Sequence, residues 1–348
     1  MNKTQFVDQL KEGDRLDAVF LVKTARLAET RAGKPYLILE VADRSGEIGG
    51  PIWDLDDEVQ RVCQVGQFVH LNGQVSSYQN KLQLKIDAVR GVERDEVDLA
   101  DFILACDQDR EALARDLQAL VASVKNPFLK KLLVFFFKKE PLWQRFQEAP
   151  AAKGIHHAYV GGLLEHSLSV ARIADTLAAH YSGVDRSLLL AGALLHDVGK
   201  VDELVMDLAV IDYTAQGRLK GHLVMGSEMV AAAAATIKEF PPELLTQLQH
   251  LILSHHGRQE FGSPTVPMTI EAFLLSFVDD LDAKMNLMEQ LRKKMKDPGL
   301  QWTEYQRSLE RYLYLCPFES GEEAAEEEAE SAVKRRAAQT PARQQTLF

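Results

Sequence analysis

The sequence predicts a multidomain chain of α and β: a small N-terminal β-barrel, then an all-α domain, then a disordered acidic tail. Three observations carry this. Short β-prone segments separated by turn residues crowd the first ~95 residues. Long apolar-periodic segments fill the stretch from about 155 to 316. The run Glu319–Glu330 then holds seven Glu and no basic residue. A length of 348 residues leaves room for two domains. The expected boundaries are 1–95 for the barrel, 96–154 for a helical linker region, 155–316 for the α domain and 317–348 for the tail.

Val19–Val22, Tyr36–Val41, Phe68–Leu71 and Leu82–Ile86 read as strands. The turns between them include Arg31-Ala-Gly-Lys-Pro35, Asp43-Arg-Ser-Gly46 and Tyr78-Gln-Asn-Lys81. About five short strands in so little chain suggest an OB-fold, with a generic β-sandwich as the competitor.

Asp109–Val124 has helical spacing, with Leu113, Leu117, Leu120 and Val124 on one stripe, and Asn126-Pro127 ends it. A basic and aromatic stretch follows: Lys130, Lys131, Phe135, Phe136, Phe137, Lys138, Lys139, Trp143 and Arg145. It is either a packed helix with a solvated basic side or a surface that guides a strand. Beyond residue 155 the chain reads as almost entirely helical, with Gly or Pro breaks at 183, 217, 241–242 and 257–267.

The net charge of −11 argues against a wholly basic nucleic-acid coat, although much of it sits in the acidic run. Cys63, Cys106 and Cys316 are too few and too scattered for a disulfide framework or a thiolate zinc site. The N-terminus lacks an apolar leader, and Leu132–Phe137 is too short to span a bilayer. The expectation is a cytoplasmic protein that does not enter membranes.

The histidines are grouped. His166 lies in Gly161-Gly-Leu-Leu-Glu-His, His196-Asp197 in Leu-Leu-His-Asp-Val-Gly-Lys200, His222 follows Gly221, and His255-His256 ends an apolar segment. Asp279, Asp280 and Asp282 follow on a later helix. His166 shares a helical face with Val170, Ile173 and Leu177, and His255 and His256 continue the stripe of Leu245, Leu248 and Ile252. One buried histidine on such a face is ordinarily structural. Burying this many titratable groups is costly unless they pair or coordinate a cation. Neutral imidazole with carboxylate suits Mn²⁺, Fe²⁺, Co²⁺ or Zn²⁺, and Mn²⁺ is the first expectation. The donors outnumber those one tetrahedral ion needs. That leaves two ions, or one ion with extra phosphate-binding histidines.

At these residues the chain resembles the HD superfamily of metal-dependent phosphohydrolases. The added Gly-His222, His255-His256-Gly and Asp279-Asp-Leu-Asp-Ala-Lys-Met-Asn286, with a β domain in front, make it similar to the YhaM-type 3′→5′ exoribonucleases. The likeness covers roughly residues 1–316. It implies a first ion held by His166, His196, Asp197 and Asp279. It also implies that Asp197 bridges to a second ion held by His222, His255 and His256. Asp279 matches the HD pattern better than Asp280, and Asp282 is a supporting carboxylate. In the related cyclic-dinucleotide phosphodiesterases the tandem histidines are followed by Gly-Tyr-Pro, whereas here they are followed by Gly262-Ser263-Pro264.

The function so implied is 3′→5′ exonucleolytic hydrolysis of single-stranded RNA, with single-stranded DNA also open, to 5′-mononucleotides by metal-activated water. Asp197 and Lys200 are the expected catalytic pair, with Lys200 one helical turn beyond His196. The barrel would bind the strand, with Tyr36, Trp53 and Tyr78 for stacking and Arg26, Lys34, Lys81 and Lys85 for phosphates. The C-terminal Gln344-Gln-Thr-Leu347-Phe348 resembles the Gln-x-x-Leu-Phe peptides that dock on the bacterial sliding clamp. Helical domains of this kind often pack as homo-oligomers. Two other readings stay open: an HD phosphohydrolase of nucleotides or cyclic dinucleotides, and a non-catalytic protein that binds single strands or the clamp.

Overall fold

The computed structural model describes residues 3–78, 81–103, 106, 108–154, 157–207, 210–295 and 302–315. The acidic tail, Cys316, the side chain of Lys81, and Gln344, Leu347 and Phe348 lie outside the described residues. The chain divides into two compact units, one ending at Asn286 and one starting at Leu287.

The first unit opens with strands β1 (Arg15–Glu29), β2 (Pro35–Asp43) and β3 (Gly46–Ile52). Helix α1 (Asp57–Val62) follows, then β4 (Phe68–Tyr78) and β5 (Lys81–Val92). They form one antiparallel sheet in the order β3-β2-β1-β4-β5. The first half of β1, Arg15 to Leu21, pairs with β4; the second half, Leu21 to Glu29, pairs with β2. An irregularity between Val22 and Thr24 bends the strand at the changeover. Leu16, Ala18, Phe20 and Val22 point into the barrel core, while Val19 and Leu21 pack outside it against Phe68 and Phe102. The alternation that defines a strand thus buries both faces where β1 is sandwiched.

The barrel closes where β3 meets β5. A Cβ on Gly50 would lie 1.9 Å from the Leu84 carbonyl oxygen, so only glycine allows that approach. This closed five-strand arrangement, with a helix between β3 and β4, is the expected OB-fold. β3 escapes the β-prone pattern because Gly46, Gly49, Gly50 and Pro51 dilute its apolar residues, and of these Gly50 is the one that meets β5.

Helix α2 (Arg110–Ser123) starts on the Asp109 carboxylate, which accepts the Glu111 N–H at 2.9 Å. Helices α3 (Pro127–Lys138) and α4 (Leu142–Glu148) carry the basic and aromatic stretch. Phe136, Phe137 and Phe146 are buried in the helical core beside Leu113, Leu117 and Leu168. The lysines stay outside; Lys130 donates to the Ala122 carbonyl, and Lys139 lies over the Phe135 ring. The stretch is therefore packed helix.

The rest of the unit comprises α5 (Gly162–His180), α6 (Arg186–Leu195), α7 (Lys200–Glu203), α8 (Ala215–Ala235), α9 (Pro242–Ser254) and α10 (Ile270–Lys294), the last running into the second unit. The all-helical reading of 155–316 missed a hairpin, β6 (Leu204–Asp207) with β7 (Val210–Tyr213). Its strands are too short for periodicity to register. The break read at Gly217 is also displaced. Gly217 lies in the first turn of α8, its N–H bonded to Thr214, and the helix bends instead at Gly221, whose φ is 73°. In the second unit, Trp302 faces Tyr314 and Gln306 faces Arg311 in isolated antiparallel bridges. No helix among the described residues is long and apolar enough to cross a membrane.

Closure of the barrel at Gly50 is directly testable. Gly50→Ala should cost on the order of 2 kcal/mol of unfolding free energy, because the methyl group forces apart two backbones that have no room to yield. Urea denaturation followed by far-ultraviolet circular dichroism reads this; an unchanged midpoint would show that β3 and β5 do not close.

Candidate metal centre

Helix ends build the centre. α6 stops at Leu195 and α9 at Ser254, and the next residue of each is a histidine. The last carbonyls of a helix lack intrahelical partners. His196 uses its Nδ1–H to bond the Ala193 carbonyl at 2.8 Å, and His255 bonds the Ile252 carbonyl at 2.8 Å. Each ring is thereby fixed with Nε2 as the free acceptor. His256 is set the same way by the Phe261 carbonyl at 2.9 Å.

His222 is positioned by the bend in α8. At Gly221 the helical hydrogen-bond pattern breaks, and Glu203 accepts the His222 backbone N–H at 3.0 Å and its Nδ1–H at 3.1 Å. His166 donates Nδ1–H to Asp282 at 2.8 Å. Asp282 also takes hydrogen bonds from Ser169 and from His157, whose Nε2 lies at 3.2 Å. All five imidazoles thus have one nitrogen held by a protein acceptor, the arrangement that orients metal-binding histidines.

The remaining nitrogens meet around Asp197. His166 Nε2 lies 3.2 Å from His196 Nε2, and the two lie 3.5 and 3.3 Å from Asp197 Oδ2. Asp279 Oδ1 joins them, 3.1 Å from His166 and 3.6 Å from His196. On the other side, Asp197 Oδ1 lies 3.4 Å from His222 Nε2 and 3.5 Å from His255 Nε2. His222, His255 and His256 offer nitrogens close enough together to share an ion. Donors about 2.1 Å from a common ion stand roughly 3.0–3.4 Å from one another, so these spacings suit a divalent cation. Asp197 Oδ1 and His222 Nε2 are buried with no hydrogen-bond partner among the described residues. Such atoms are rare in folded proteins, and a cation between them would satisfy both.

The electrostatics agree. Burial pushes the Asp197 carboxyl up, but Lys200 and His196 outweigh it and hold it well below its ordinary value. Burial likewise opposes Asp279, and hydrogen bonds from His166 and His196 keep it ionised. Burial drives His255 down to about 3. His196 feels the same burial, yet the Asp197 and Asp279 carboxylates raise it to about 10.

All seven expected ligands therefore converge. Asp279 faces the cluster, whereas Asp280 is exposed and pairs with Lys284 at 2.5 Å. Lys200 reaches Asp197 Oδ2 at 2.5 Å, but not along a continuous helix: residues 196–199 form a turn and α7 begins at Lys200. Glu203 and His157 went unread. No periodicity marks Glu203; the tandem His156-His157 ahead of α5 was the available signal for the other.

On the barrel, Arg26, Tyr36, Trp53 and Tyr78 line one groove of about 1020 Å³. Tyr36 and Trp53 stack with centroids 4.8 Å apart. Trp53 is 51% exposed and Tyr78 64%, so neither is a core residue. Lys34, paired with Asp54 at 3.0 Å, and Lys85 are outside this lining. Glu40 stands opposite Arg26 in charge, so the groove is more aromatic than cationic.

Residues 163–284 match the HD domain family. The 3′-5′ exoribonuclease YhaM of Geobacillus sp. (strain WCH70) is 34% identical over 306 residues, covering 88% of this chain and 93% of its own. The 3′-5′ exoribonuclease YhaM of Bacillus subtilis (strain 168) is 36% identical over 308 residues, covering 88% and 96%. Among solved structures, the second OB-fold domain of replication protein A from Methanococcus maripaludis aligns with 27% of this chain and 97% of its own at 18% identity. Its TM-score of 0.22 is too low to bear on fold or function.

Glu165, beside His166, gives the centre's surroundings a pH dependence. Burial opposes its ionisation, but hydrogen bonds from His157, Cys106 and Tyr159 bring it from 4.5 down to about 2. A folded value below the unfolded one contributes stability above pH 4.5 that is lost as pH falls toward about 2. Metal-stripped protein should therefore lose unfolding free energy across this window. Glu165→Gln should make that loss shallower by on the order of 1–2 kcal/mol. Denaturant titrations at a series of pH values check this; parallel pH profiles would contradict it.

Proposed function

The chain belongs to the YhaM family of HD-domain 3′-5′ exoribonucleases, and on that footing we propose that it shortens single-stranded RNA, and single-stranded DNA, from the 3′ end to 5′-mononucleotides. The observation that carries this reading is Asp197, buried and ionised between two groups of imidazoles with one oxygen unsatisfied. His166, His196, Asp197 and Asp279 would hold one ion; Asp197, His222, His255 and His256 would hold a second. Mn²⁺ suits this mixture of nitrogen and carboxylate donors, with Fe²⁺, Co²⁺ and Zn²⁺ as competitors. Divalent ions in such a site supply Lewis acidity that activates water and neutralises charge on phosphoryl oxygens.

The chain's own groups do the rest. Lys200 lies on Asp197 Oδ2, keeps that carboxylate ionised and would offer its ammonium to an arriving phosphoryl oxygen. Glu203 and Asp282 hold His222 and His166 so that their Nε2 atoms face inward. The barrel groove gives the preference for polymer. The Tyr36–Trp53 stack and Tyr78 present aromatic faces, each base stacked on one gaining about 1–3 kcal/mol, and Arg26 in the same lining would meet a phosphate. A hydrolase of free nucleotides has no need of such a platform.

The test uses 5′- and 3′-labelled single-stranded RNA and DNA with Mn²⁺, Mg²⁺, Zn²⁺ or Co²⁺. A 5′ label should give a descending ladder, and a 3′ label should give labelled mononucleotide at once. His196→Ala and Asp197→Ala should each lower turnover on the order of 10³-fold or more while strand binding persists. Internal cleavage, or undiminished turnover in both variants, would overturn the reading.

A further inference from the structure

Members of the metal cluster differ in exposure. His166, His196 and His255 are buried, whereas His222, His256 and Asp279 are partly open to solvent. Solvent, and so a phosphate, can reach the cluster at its His222 and His256 mouth as well as at Asp279. The segment leaving His256 stands at that mouth. Gly257 and Gly262, with φ of 77° and 93°, bound a tight turn. The Gly257 N–H bonds the Ser254 carbonyl at 2.8 Å, and the Gly262 N–H bonds the Gln259 carbonyl at 2.9 Å. The Ser263 N–H returns to the Arg258 carbonyl at 3.3 Å, and Ser263 is buried. The turn is thus held at both ends.

Phe261 is its exposed apolar residue. The Phe261 carbonyl fixes the His256 ring at 2.9 Å, while its own side chain is 63% exposed. The Arg258 guanidinium lies 5.9 Å from the Phe261 ring centroid. A single exposed phenylalanine is unremarkable in itself. Here the backbone bond to His256 ties an exposed aromatic residue, flanked by a cation, to a member of the histidine cluster. A nucleotide has complementary chemistry: an anion to meet the cluster and a flat base to lie on a ring.

Resting on the nuclease reading, we propose that Phe261 is the platform on which the 3′-terminal base of the strand stacks during hydrolysis. The barrel groove would then hold upstream nucleotides, and Phe261 would seat the one being removed. Its role is in substrate binding, so it should act through KM more than kcat.

The experiment compares one 5′-labelled oligoribonucleotide with the same strand ending in an abasic 3′ nucleotide, using wild type, Phe261→Ala and Phe261→Trp. Phe261→Ala should lower kcat/KM on the intact strand on the order of 10-fold, chiefly through KM, and change the abasic strand by less than about 2-fold. Phe261→Trp should retain wild-type preference for the intact strand. Metal content should be unchanged in both variants, because the carbonyl that fixes His256 remains. Equal effects on the two strands, or none on either, would overturn the proposal. So would an altered elution volume in size-exclusion chromatography with equal kinetics on both strands, which would assign the ring to subunit packing. Wild-type protein that shortens neither strand would defeat the nuclease reading itself, a separate and recognisable result.

Discussion

A carboxylate buried among imidazoles is the constraint on which the structure turns. Removing an ionised group from water costs several kcal/mol unless partners replace its solvation. Asp197 has Lys200 on one oxygen and ring nitrogens around both, yet Oδ1 accepts no hydrogen bond among the described residues. The surrounding imidazoles cannot all carry protons, since mutual repulsion and burial oppose it; His255 is driven down to about 3 while His196 is raised to about 10. A shared cation would resolve both problems: it would satisfy the orphaned oxygen and let every Nε2 act as a neutral ligand.

The helices are arranged to serve that point. Two of them end one residue before a histidine, so that carbonyls left over by helix geometry fix the rings. A third bends at Gly221 and surrenders a backbone N–H to Glu203. The same region faces the barrel. The β6–β7 hairpin follows Glu203 directly, Asp207 on β6 pairs with Arg94 at 2.9 Å, and Val210 on β7 packs with Phe102 and Leu21. The support of His222 and the attachment of the barrel therefore share one short stretch of chain.

The sequence disclosed most of the centre because its chemistry is concentrated in unusual residue types. Several histidines that continue apolar stripes into a core must pair or coordinate there, and the resemblance to the HD pattern favoured Asp279 over Asp280. What it hid depends on tertiary contact. β3 is glycine-rich, at Gly50 because the barrel closes there, and that composition erases its strand signal. The hairpin is too short for periodicity. Gly217 and Gly221 are equally plausible breaks in one dimension; only the demand that Glu203 capture the His222 N–H selects the second. Glu203 and His157 touch the cluster from outside, and polar residues in such places follow no repeating pattern. The aromatics of the groove could not be told from core residues by spacing alone; their exposure distinguishes them.

The central claim concerns a cation at Asp197, and the most direct measurement is a Mn²⁺ titration of chelator-stripped protein followed by electron paramagnetic resonance. The free-ion signal should be suppressed until one or two equivalents are bound, and Asp197→Asn, which keeps size and removes charge, should abolish that suppression. Wild-type protein that leaves the free-ion signal unaltered, or an Asp197→Asn variant that binds as wild type does, would contradict the account.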